Sequence, residues 1–188
     1  MFPAMALLLL PALAQAHVGV GESAGFVQGL GHPSGGADHV LAMIAVGLWA
    51  AQRGGRALWM IPCAFVVVMA LSGLAGAVGV DVPFVAQGIV LSVLVLGLLV
   101  CAAVRLPVPV SILIVGLFAV FHGHAHGAEM PADAWGLAYG AGFVLTTALL
   151  HGLGIGVALF TATVSRIGVA RLAGAAIAAC GAILLLTA

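Results

Sequence analysis

The chain has 188 residues, 64% of them apolar and only 5% charged, and its five basic residues are all arginine. That is too little polar side chain to cover a water-soluble globule, so the chain belongs in a bilayer. A formal net charge of zero and the lack of any basic block leave nucleic-acid binding without an electrostatic footing.

In chain order, residues 1–16 read as a cleavable signal peptide: an apolar run over residues 6–14, then Ala14-Gln15-Ala16 as a small-x-small cleavage site. Cleavage there would make His17 the new first residue, and its amine and imidazole together could chelate a metal. The remaining 17–188 is expected to form one transmembrane domain. Its first apolar segment, residues 23–51, is interrupted by GLGHPSGGADH, where Pro33 and four glycines predict a broken helix with freed carbonyls. Such a break is tolerated in a membrane only where it is buried in protein or lines a polar cavity. Further spans are expected over residues 57–78, 83–104, 108–127, 134–163 and 169–186, each long enough for a crossing, which takes roughly 20 residues, allowing for tilt. The expected fold is therefore an all-α membrane protein with six transmembrane helices after the signal peptide.

The charges set the orientation. Arg53, Arg56, Arg105, Arg166 and Arg171 all fall between spans on one side, which the positive-inside rule makes cytoplasmic. Glu22, Asp81, Glu129 and Asp133 fall on the other, so both ends of the domain are expected outside. Small residues such as Gly73, Gly76, Gly152, Gly154 and Gly156 are expected to let helices approach closely. Cys63, Cys101 and Cys180 stand singly in apolar runs and read as plain core residues.

Five of the seven histidines lie in two motifs about ninety residues apart. In FHGHAHGAE, residues 121–129, His122, His126 and Glu129 sit at i, i+4 and i+7 and share one helical face, while His124 falls on another. The first motif offers His32, Asp38 and His39. An ionisable group inside a membrane costs about 2.5 to 3.5 kcal/mol on insertion scales, so Asp38 calls for a partner or a cation. On a straight helix His32 would lie about 13 Å and Asp38 about 22 Å below the outer mouth. His151, midway along the fifth span near Thr146 and Thr147, could be a further station or a helix-to-helix hydrogen-bonding residue. Imidazole with carboxylate suits Ni(II), Co(II), Zn(II) or Cu(II), and no thiolate belongs to either motif.

HPSGGADH followed by FHGHAHGAE resembles the signature pair of the HupE/UreJ proteins, membrane components associated with hydrogenase and urease maturation and regarded as nickel permeases. The similarity extends to the leader, the six-span layout, VGLWAAQRGGRALW and GFVLTTALLHGLG. By position, the resemblance makes His32, Asp38, His39, His122, His126 and Glu129 the functional metal residues, with His124 in a variable slot, and it alone selects nickel. It implies a permease of the bacterial inner membrane that takes Ni(II) from an outer mouth to the cytoplasm for hydrogenase or urease maturation proteins, with no prosthetic cofactor. The residues by themselves leave two other readings. One is an intramembrane zinc hydrolase with Asp38 or Glu129 as base. The other is a metal-dependent scaffold or sensor.

Overall fold

The computed structural model describes residues 22–131, 134–164 and 168–187. The signal-peptide segment, His17, Asp133 and Arg166 lie outside these. The regular elements among the described residues are all helices: α1 Glu22–Gly31, a 3₁₀ turn His32–Gly35, α2 Ala37–Arg53, α3 Ala57–Ala77, α4 Val85–Cys101, α5 Val108–Ala128, α6 Gly136–Val164 and α7 Val169–Thr187.

α3, α5, α6 and α7 are each long and apolar enough to cross a membrane, which gives four spans, or five if α1 and α2 form one broken span. α4 is a shorter apolar helix of 17 residues, where the sequence predicts a span of residues 83–104. The shortening has a local cause. Phe84 and Ala103, just outside its two ends, adopt positive φ of 59° and 50°, which no continuing α-helix permits. Seventeen residues extend about 25 Å, somewhat less than the hydrocarbon thickness.

The break predicted around Pro33 is present and is sharper than a kink. α1 and α2 diverge by 85° across the 3₁₀ turn. Pro33 lies at the start of that turn, where its missing N–H costs nothing. This bend overturns the straight-helix depths: α1 does not descend along the line of α2, so the two halves of the motif are not separated by a simple axial rise.

α2 is the buried centre of the molecule. Ala42, Met43, Ala45, Val46, Leu48, Trp49 and Ala50 along it are all withdrawn from the surface. α3 and α6 flank it, α4 lies against it, α5 pairs with α3, and α7 pairs with α4. Leu113, Leu149, Phe160 and Leu186 are exposed in turn, as expected of side chains facing acyl chains. Cys63 and Cys180 are also exposed, which corrects their assignment to the core. A small thiol is apolar enough for either environment.

Small residues carry the closest helix contacts. A Cβ at Gly127 would run into the Gly73 carbonyl, and one at Gly123 into that of Met69, so α3 and α5 meet backbone to backbone. Gly154 plays the same part against Ile44 of α2, whereas Gly152 and Gly156 face open space.

The arginine end is tied together through carbonyls at the end of α4 and just after it. Trp49 Nε1 donates to Val104 O at 2.9 Å, Gln52 Nε2 to Val100 O at 3.0 Å and Arg171 Nε to Cys101 O at 2.8 Å, while Arg53 donates to Leu106 O. Cationic donors on helix-terminal carbonyls also oppose the negative end of the helix dipole. Gln52, Arg105 and Arg171 border a cavity of about 410 Å³ at this end. The histidine motifs lie at the other end of α2.

Candidate metal centre

The 85° bend turns the first motif back over the end of α5. His32 Nε2 donates to Glu129 Oε2 at 3.1 Å across 97 residues of sequence. The ring of His32 lies 5.0 Å from that of His126, and the ring of His39 lies 4.8 Å from those of both His122 and His126. Four imidazoles from two remote segments thus share one place.

They are reached from a cavity of about 420 Å³ bordered by His32, Gly36, Asp38, His39, His126 and Glu129. Solvent access declines steeply along the series, from 64% for the Glu129 side chain to 1% for His126 and 0% for His122. The carboxylate stands at the mouth and the buried imidazoles at the floor. His124 points elsewhere and donates Nε2–H to Val80 O at 2.7 Å, as its place on the other helix face implies.

Hydrogen bonds settle which nitrogen each ring presents. The Ser92 hydroxyl has one proton and donates it to Ile89 O at 2.6 Å. Its 2.9 Å contact with His122 must then be an acceptance from Nε2–H. His122 Nδ1 is left as a buried lone pair without a partner. His39 Nδ1 donates to Asp38 Oδ1 at 2.9 Å, so its free lone pair is on Nε2. An outer-sphere acceptor that fixes the tautomer of a ligating imidazole is a recurring feature of metal sites. His126 is buried, and among the described residues neither of its ring nitrogens has a partner.

Asp38 also accepts from the His39 backbone N–H at 2.8 Å, in the first turn of α2 where a negative charge opposes the helix dipole. Gly36 makes this possible. A Cβ there would stand 2.5 Å from Asp38 Oδ1 and 3.0 Å from His39 Nδ1.

As they stand, no three of the described His, Cys, Asp or Glu side chains form a group that could hold a metal ion. The imidazoles meet tilted or edge to face rather than aiming lone pairs at one point. The orphaned nitrogens are nevertheless a donor set in search of an acceptor. Buried polar atoms without partners are costly, and a cation bound among them would lower that cost.

The walls of the site were not legible in the sequence. Phe143 stacks on His126 at 5.3 Å, Phe65 lies 5.6 Å from His122, and the chain's single tyrosine, Tyr139, donates to His126 O at 3.2 Å. Ser92, a lone hydroxyl in an apolar helix, was equally silent. Thr146, expected near His151, instead donates to Leu30 O at 2.8 Å and ties α6 to α1.

A multi-pass helical membrane protein with converging histidine motifs is the class that this architecture defines. The family model described as HupE / UreJ protein matches residues 5–184. Protein HupE of Rhizobium leguminosarum bv. viciae is 48% identical over 181 residues, which cover 96% of this chain and 94% of that protein. The chain belongs to the HupE/UreJ family. No solved structure matches it.

Proposed function

We infer that this chain is a permease that carries a divalent transition-metal ion, nickel foremost and cobalt or zinc next, across the bacterial inner membrane into the cytoplasm. The observation that carries the reading is the meeting of the His32 and His39 rings with those of His122 and His126, whose buried nitrogens lack partners among the described residues. In this reading Glu129 and His32 capture the ion at the outer mouth. His126, His39 and His122 then replace its water shell, and Asp38 holds His39 in the ligating tautomer while supplying compensating charge. Family membership supports nickel as the cargo and delivery to hydrogenase or urease maturation.

The same reading takes α1 with α2 as one broken crossing and α4 as a short one, which gives six crossings with both ends outside and the arginines in the cytoplasm. The segment 1–16 is a signal peptide in this scheme. The exposure gradient toward His122 supports a mouth on the outer side, because the arginines gather at the opposite end. Nickel uptake by cells that depend on this protein is the test. His122→Ala and Asp38→Ala should abolish uptake at normal protein levels, and wild-type uptake in both variants would sink the reading. Proteoliposomes of the purified chain should accumulate nickel, which distinguishes a permease from a scaffold that only hands the ion on.

A further inference from the structure

His151 remains unexplained by the motif site. It is 2% exposed, and neither ring nitrogen has a hydrogen-bond partner among the described residues, on a neighbouring helix or elsewhere. An orphaned buried imidazole is a standing cost that a leucine in the same space would avoid.

Its position is equally informative. α6 runs from the motif end, where Tyr139 bonds to His126, to the arginine end, where Ala158 borders the cavity with Arg105. His151 lies between the two. A Cβ at Gly47 would strike the His151 carbonyl, and Gly47 follows His39 by eight residues on α2, about 12 Å along that helix. One turn before His151 on the same helical face, the Thr147 hydroxyl donates to Met69 Sδ at 3.6 Å. The fully buried Phe65 ring touches both sites, 5.6 Å from His122 and 5.2 Å from His151. Beside His151 an apolar groove of about 400 Å³ between α3 and α6, bordered by Leu58, Pro62 and the exposed Trp59, Cys63 and Val67, opens at the surface.

We propose that His151, with the Thr147 hydroxyl one turn away on α6 and the Met69 thioether that accepts from it, is a second ion station on the cytoplasmic side of the motif site, separated from it by the Phe65 ring. The proposal rests on the permease reading and adds a route and a filter to it. The station contains only neutral donors, so it binds a cation more weakly than the carboxylate-bearing mouth and favours onward release. Conduction through successive sites requires that graded, escapable binding. An imidazole and a thioether accept Ni(II), Co(II) or Cu(II) and discriminate against Mg(II), Ca(II) and Mn(II), which prefer oxygen.

The test is calorimetric titration of the purified full chain in detergent with NiCl₂. The wild type should bind two ions, one tightly and one weakly. His151→Leu should retain the tight site and lose the weak one, and without nickel it should melt no lower than wild type, because an apolar group replaces an unsatisfied one. Met69→Leu, a volume-conserving change, should weaken the second site and leave the first alone. His122→Ala should weaken the tight site by roughly tenfold or more and spare the weak one. One wild-type site that is untouched by both His151→Leu and Met69→Leu overturns the inner station and leaves the motif site standing. A wild type that binds no nickel overturns both.

Discussion

Ser92 illustrates how a residue far from either motif can decide the chemistry of one. Because its proton goes to Ile89 O, it can only accept from His122 and so commits that ring to offering Nδ1 inward. Ser92→Ala should lower nickel affinity by about 10 to 100-fold, the range for loss of an outer-sphere partner, and Ser92→Thr should restore most of it. A merely packing role for the hydroxyl would leave the ¹⁵N shifts of the His122 ring unchanged in Ser92→Ala. Asp38 acts on His39 in the same manner. Asp38→Asn keeps an oxygen that can accept from Nδ1–H but loses the charge, so its nickel affinity should fall between those of wild type and Asp38→Ala. The identities of these ligands could be read from residue type and spacing, but their tautomers could not. A tautomer is set by whichever atom a fold places 3 Å away, and Ser92 is 30 residues from His122.

At the level of elements, the break in the first span does two things. It frees Asp38 to fold back onto His39, and it turns His32 onto Glu129. Gly36→Ala would push a methyl group against Asp38 Oδ1, so nickel uptake should drop while the amount of folded protein is preserved. The glycines along the spans sort into two kinds. Gly127→Ala would drive a side chain into the Gly73 carbonyl between α3 and α5, and should destabilise by about 1 to 3 kcal/mol, visible as a lowered melting temperature in detergent. Gly152→Ala faces open space and should leave the melting temperature unchanged or raise it, since alanine is the better helix former. Composition identified both as small residues in a span. Which one lies under another backbone depends on the rotation and crossing of two helices, and local sequence does not encode either.

For the molecule as a whole, the arginine cluster and the motif histidines occupy opposite ends of α2. The arginine end is bonded to the last carbonyls of α4, and the histidine end is open to a cavity. Uptake through such a site should depend on pH with a definite sign. A ligating imidazole must be neutral, so protons compete with the metal, and nickel accumulation by proteoliposomes should decline as the outer pH falls. Uptake that does not decline on acidification would argue against imidazole ligation at the mouth.

Membership of the bilayer and the helical class followed from amino-acid content and order alone, since the cost of moving a residue from water into hydrocarbon depends mainly on what that residue is. The shared face of His122 and His126 followed as well, because 3.6 residues per turn holds for any helix. The tertiary structure decided the rest: the 85° turn that joins the motifs, the aromatic walls of Phe65, Tyr139 and Phe143, the short α4, and the solitary burial of His151. Those features arise from how helices cross and close over one another, an arrangement that is settled by contacts between residues distant in the chain.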